Sequence, residues 1–214
     1  MIAPGESNTE GVAYHFPNKM GRILLLSMEE VMGQTGVNAV LNLANLRHFQ
    51  ANYPPNNFDM AFSFAESSRL IGALDEMYGV RGGQRLAERI GRSCFRLGIK
   101  DLGPMLGIAD LAFRILPMMV KLRIGFEVFA EVFNKFSDHR VRLEENDHSF
   151  LWVIEQCGVC WERTTSYPSC HLAVGILQEA LFWVSGGQNF DVTETFCIAM
   201  GDATCTIEIA KKPH

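Results

Sequence analysis

Cys170, Glu194, Cys197 and Cys205, close to the C-terminus, are the residues of this chain whose types and spacing best support chemistry. A turn at Met200-Gly201-Asp202 would pair Ala199 with Ala203 and set Cys197 opposite Cys205, where facing Cβ atoms lie about 4.5–5.5 Å apart. Glu194 precedes Cys197 by three residues and in a regular strand would face the other way. Its joining the two thiols requires a bulge or strand end between them. Cys170 would arrive from the loop before a helix and clip that helix to the hairpin. Three thiolates and one carboxylate suit a tetrahedral zinc ion, and four protein ligands leave no open position for a reactive water, so the site would be structural. Two other readings of the same residues stand beside it: buried free thiols, and a Cys197–Cys205 cross-strand disulfide.

Cys157-Gly158-Val159-Cys160 is a separate CxxC. It could serve a second metal or a redox pair, but without a second pair at matching spacing it reads as buried or loosely reactive thiols. His171 reads as a loop histidine beside Cys170. No nucleophile, base and orienting acid stand out, so no catalytic residue is assigned. Arg81-Gly82-Gly83 lacks the Lys-Ser/Thr of a phosphate loop and reads as a turn, and no GxGxxG supports a nicotinamide site.

The elements that must position these residues follow from periodicity. Residues 1–17 read as a loose arm. Asn18 stands where an N-cap would, before the apolar run Met20 to Met32, with Gly33 and Gly36 separating a second helical stretch from Val37 to Leu46. Ser63 and Glu66 have capping-box spacing ahead of Leu70, Ile71, Leu74 and Met77, and Gly79 ends that run. Leu86, Ile90, Cys94 and Leu97 continue on one helical face. Residues 102–136 read as one or two apolar helices, with Pro104 and Pro117 as starting or kinking points. Phe113, Met118, Met119, Phe126 and Phe129 there either pack the core or line an apolar cavity. Beyond Asp138 the period falls to two: a hairpin turned at Asn146-Asp147, a helix from Leu172 to Val184 closed by Ser185-Gly186-Gly187, and the cysteine-bearing hairpin. The fold class expected is α+β, an antiparallel sheet of hairpins packed against several helices. Residues 18–138 form its helical part and residues 139–214 its sheet-rich part.

A chain of 214 residues, 48% hydrophobic and 20% charged, can bury a sizeable core. A net charge of −5 without a basic stripe argues against nucleic acid. Charged residues interrupt every apolar stretch, so no membrane span is expected. The start of the chain lacks a secretory signal pattern, and a cytoplasmic, thiol-reducing setting is expected.

Tyr167-Pro168-Ser169-Cys170, Val174-Gly175, Gln178-Glu179 and the run Glu194-Thr195-Phe196-Cys197 through Cys205 resemble the 4-vinyl-reductase domain family. That family includes sensory domains of phenol-responsive activators, archaeal hydrocarbon-binding proteins and a protein of bacteriochlorophyll synthesis. The motif-bearing match covers residues 147–213. The resemblance implies zinc on Cys170, Glu194, Cys197 and Cys205, a fold similar to TRAPP subunits and haem-based nitric oxide sensors, and dimerisation through the helical part. It implies a sensor or carrier for a small hydrophobic, aromatic or tetrapyrrole ligand. Phe113, His148, Trp152 and Trp183 are the pocket residues expected, on aromatic type or hydrogen-bonding ability alone. The alternatives are a vinyl reductase acting on a chlorophyll precursor and a protein-interaction scaffold or chaperone.

Overall fold

The computed structural model describes residues 13–103 and 116–214. Strand β1 (His15–Pro17) pairs antiparallel with β2 (Met60–Ser63), so the end of the expected arm is held in a small sheet. Helix α1 (Asn18–Leu43) follows directly. Pro17, in extended conformation, occupies its cap position, and Asn18 is its first residue rather than its cap. The loop supplies acceptors instead: the N–H of Asn18 donates to the Asp59 carbonyl and that of Lys19 to the Asn57 carbonyl, both at 2.9 Å, satisfying two of the free N–H groups at the helix start.

Helix α2 (Phe64–Leu102) opens on the expected capping box: Glu66 N–H donates to Ser63 Oγ at 3.1 Å, and Ser63 N–H donates to Glu66 Oε2 at 2.7 Å. Gly79, at φ 70° and ψ 161°, interrupts it in a region of backbone space essentially restricted to glycine. There the chain folds back: a Cβ on Gly83 would lie 2.7 Å from Asp75 Cα. In a straight helix residues eight apart would be separated by about 12 Å. The reversal therefore sits at Gly79. Gly82 and Gly83, expected as the turn, lie in the returning arm, where Gly83 permits the close approach. Gly33 breaks α1 in the same conformation, at φ 72° and ψ 163°.

Helix α3 (Met118–Phe136) begins behind Pro117, as expected; Pro104 and Phe113 lie outside the described residues. The main sheet contains β3 (Arg140–Glu145), β4 (Ser149–Gln156), β5 (Phe190–Phe196) and β6 (Cys205–Pro213) in the order β3-β4-β6-β5, every neighbour antiparallel. Helix α4 (His171–Ser185) closes on Gly186 in left-handed conformation. Helices α2 and α4 cross where both lack a side chain. A Cβ on Gly175 would lie 2.0 Å from the Glu88 carbonyl oxygen, and one on Gly91 would lie 2.2 Å from that of Leu172.

The core is one continuous cluster, running from Leu25 and Met28 of α1 through Leu70 and Leu74 of α2 to Phe150, Trp152 and Ile207 of the sheet. Antiparallel hairpins and helices confirm the α+β class. Among the described residues, no helix is long and apolar enough to cross a membrane.

Candidate functional site

Two features stand out: a buried cluster of thiols at one end of the sheet, and an apolar cavity between sheet and helices.

The cluster forms because four elements converge. Residues 157–170 connect β4 to α4 and carry Cys157 and Cys160 at one end and Cys170 at the other. The Arg163–Asp75 ion pair at 2.7 Å ties this connection to α2, and Thr165 N–H donates to the Ala199 carbonyl at 2.8 Å, tying it to the β5–β6 connection. Across β5 and β6, Glu194 pairs with Ile207 but Phe196 with Thr206, a register shift that is the bulge the sequence required. Continued one residue further, the pairing sets Cys197 against Cys205. A turn of 3-10 helix, Ile198–Met200, and Gly201 at φ 98° close the loop.

The result is five buried cysteines and one buried glutamate. Cys157 Sγ lies 3.5 Å from Cys170 Sγ, Cys160 Sγ 3.4 Å from Cys205 Sγ, and Cys170 Sγ 3.6 Å from Cys205 Sγ. Potential ligand atoms of Cys170, Glu194, Cys197 and Cys205 all lie within 4.8 Å of one another, and the same holds for Cys157, Cys160, Cys170 and Cys205. All the cysteines are free. Backbone donors point inward: Cys170 N–H donates to Glu194 Oε2 at 2.7 Å and Ile198 N–H to Cys205 Sγ at 3.3 Å. Glu194 Oε1 is buried without a partner among the described residues.

The thiols share protons unevenly. Cys157 is drawn well below the ordinary thiol range by its neighbours, Cys160 first. Cys160 falls to about 5, the opposing influence of Cys157 being outweighed by Cys170, Cys197 and Cys205. Cys197 also falls to about 5, opposed by Cys160 and favoured by Cys170 and Cys205. Cys170 and Cys205 are pushed up, in both cases with Cys157 as the leading cause. Burial, and then the charge of Cys197, pushes Glu194 up to about 9. Burial and mutual contact therefore make full ionisation of the cluster unfavourable, and a cation among these groups would displace the protons they hold.

The cavity, of about 500 Å³, lies between the sheet, α2, α3 and α4. Phe62, Phe95, Phe126, Trp152 and Leu177 form much of its wall, and no lysine, arginine or carboxylate is among the described lining residues. His139 lines it too. Its Nε2 accepts the Gly158 N–H at 2.9 Å, so the ring proton is on Nδ1. Burial pushes its pKa down to about 3, so the ring is neutral. Cys94 also faces the cavity, and burial pushes its thiol up to about 12.

Of the expected pocket residues, Trp152 and Trp183 line the cavity. His148 does not: it is exposed in the β3–β4 turn, its N–H donating to Asn146 Oδ1 at 2.9 Å. Phe113 lies outside the described residues. Phe126, Phe129 and Met118, left open between core and cavity, pack against the core, and the two phenylalanines also line the cavity. Sequence reasoning set Cys157 and Cys160 apart, whereas the structure brings them into the cluster; the CxxC spacing was the available signal. It missed His139 altogether. His171 stays outside the cluster, its Nδ1 lying 3.0 Å from Glu88 Oε1.

No family model and no curated protein matches the chain. Solved structures do. An H-NOX protein from K. algicida, Fe(II) and unliganded, is similar with a TM-score of 0.58 at 12% identity over 92% of this chain and 97% of that one. An H-NOX protein from S. oneidensis in the Fe(II)NO ligation state gives 0.55 at 11% identity over 90% and 98%. A structure described as probing heme distortion in the H-NOX family gives 0.58 at 11% identity over 92% and 96%. At such identities the likeness shows the fold: this chain has the architecture of H-NOX domains.

Two expectations are corrected by this. The chain is not assigned to the 4-vinyl-reductase family, because its structural relatives are H-NOX proteins; the motif residues occupy one third of the chain and do not define its whole fold. The vinyl reductase activity falls with that assignment. Zinc as the cofactor is withdrawn as well, since the relatives are described with heme and Fe(II).

Proposed function

We propose that this chain is a small-molecule-binding domain, a sensor or carrier, whose apolar cavity takes an uncharged hydrophobic or aromatic molecule, with Trp152 and Trp183 among its contacts. The observation that carries the reading is the cavity of about 500 Å³ with an apolar, largely aromatic wall, within the range of small-molecule sites. A ligand burying about 200 Å² of apolar surface there would gain about 5 kcal/mol.

The H-NOX relatives described with heme raise the question of haem, and the described residues do not fit it. Haem presents two carboxylates, and no cation is among the described residues that line the cavity. It also needs an axial ligand, and His139, the one histidine among the described lining residues, has its Nε2 lone pair engaged by Gly158. The same charge argument disfavours other carboxylate-bearing tetrapyrroles.

Cys170, Glu194, Cys197 and Cys205 are in our reading the ligands of a thiophilic metal ion that clips α4 to the β5–β6 hairpin. Their mutual distances and the bare Oε1 of Glu194 support it. Metal analysis of protein purified without chelator tests this, with a bound transition-metal ion expected and a metal-free protein counting against it.

Native mass spectrometry tests the cavity reading: an uncharged organic molecule is expected to be retained, and lost from Leu177→Trp, which fills the cavity. It also reports whether the expected homodimer forms. Haem retained with its absorbance spectrum would overturn the reading. Absence of any ligand, together with no uptake of a fluorescent hydrophobic probe, would favour the scaffold alternative.

A further inference from the structure

We propose that the cysteine cluster is a dinuclear metal site, in which Cys170 and Cys205 bridge two thiophilic divalent ions, one completed by Glu194 and Cys197 and the other by Cys157 and Cys160. This rests on the metal-holding reading of Cys170, Glu194, Cys197 and Cys205 and extends it to a second ion.

The buried donors fall into two sets of four, and the sets have Cys170 and Cys205 in common. The sulfurs of that common pair are 3.6 Å apart. Two metal–sulfur bonds of about 2.3 Å, meeting at an angle between a right angle and the tetrahedral value, separate their sulfurs by about 3.3–3.8 Å. A thiolate sulfur has lone pairs enough for two ions. The outer donors flank the bridge on opposite sides in the sequence of elements: Cys157 and Cys160 come from the connection after β4, Glu194 and Cys197 from the end of β5.

Occupancy by one ion leaves part of this arrangement unused. An ion in the all-cysteine set leaves Glu194, only 6% exposed, with a bare carboxylate oxygen. Burying such a group unpaired is unfavourable. An ion in the glutamate set leaves Cys157 and Cys160 as buried thiols pressed against metal-bound sulfurs. Two ions engage all six donors and offset most of their charge, while the inward N–H groups of Cys170 and Ile198 stabilise what remains.

Titration of the metal-stripped full chain with Co(II) tests the proposal. Two equivalents are expected to bind, with an electron paramagnetic resonance signal that grows to the first equivalent and weakens with the second as the bridging sulfurs couple the ions. The double variants Cys157→Ser/Cys160→Ser and Glu194→Gln/Cys197→Ser should each retain one equivalent and lose the coupling. Saturation of the unaltered chain at one equivalent would overturn the proposal. If that equivalent were lost in the Glu194/Cys197 variant alone, the four-residue site would stand without its second ion. Absence of uptake would overturn both readings, and iron purified with acid-labile sulfide would replace the dinuclear site with a cluster of different chemistry.

Discussion

Gly175 of α4 sits so close to Glu88 of α2 that a Cβ built on it would lie 2.0 Å from the Glu88 carbonyl oxygen. The obstacle is backbone, which cannot swing aside as a side chain would. This contact sets how deeply α4 approaches α2, and thereby where Cys170 and the cavity wall at Leu177 lie.

Gly175→Ala should therefore destabilise the protein by about 3 kcal/mol or prevent folding, because overpacking against rigid backbone has no inexpensive relaxation. Gly98→Ala provides the contrast. Among the described residues nothing lies within 4 Å of its Cβ position, and the substitution should stabilise α2 by about 0.5–1 kcal/mol through helix propensity. Urea unfolding of both variants checks the pair; equal effects would refute the account of the crossing.

Asp75 and Arg163 form a largely buried ion pair at 2.7 Å, and among the described residues Arg163 Nη1 has no partner. Asp75→Asn leaves the guanidinium without its counter-charge and should cost about 3–5 kcal/mol. Asp75→Asn/Arg163→Met should recover part of that loss, since the stranded charge is gone. A double-mutant cycle by chemical denaturation reads the coupling.

His139 gives the stability a defined acid sensitivity. Its folded pKa is depressed from 6.5 to about 3 by burial. Between those values the unfolded chain binds a proton that the folded chain does not, so stability falls as pH drops through this window and is fully present above it. The contribution is on the order of 5 kcal/mol. His139→Gln keeps an acceptor for Gly158 N–H and should flatten the dependence between pH 6.5 and 3, measured as urea midpoints across that range. An unchanged slope would assign acid sensitivity to other groups.

Gly79→Ala should cost about 1–3 kcal/mol, because the reversal of α2 occupies backbone space that a Cβ disfavours, although nothing lies within 4 Å of that position. Thermal unfolding of this variant separates backbone strain from packing.

Local signals were legible where local physics decides the outcome. The Ser63–Glu66 box, the stop at Gly79, the hairpin turn at Asn146 and the closure of α4 at Gly186 depend on a few neighbouring residues, and each was readable from them. The expected bulge between Glu194 and Cys197 is present because the pleat leaves no other way to bring both to one side. Asn18 was misread as a cap because the acceptors at this helix start, the Asp59 carbonyl for its own N–H and the Asn57 carbonyl for that of Lys19, are about forty residues away in sequence. His148 and His139 are both histidines beside the sheet, but only the fold sends one into solvent and the other into the cavity wall.

The sequence alone determined the α+β class and the principal helices and strands, since periodicity, capping and turn chemistry act over a few residues, and it pointed to the grouping of Cys170, Glu194, Cys197 and Cys205 that the structure brings within 4.8 Å of one another. Tertiary structure decided the H-NOX architecture, the entry of Cys157 and Cys160 into the thiol cluster, and the cavity. These depend on how α2 and α4 meet at Gly91 and Gly175 and on where the Asp75–Arg163 pair anchors a connection. Such contacts join residues about ninety positions apart, and no local pattern encodes them.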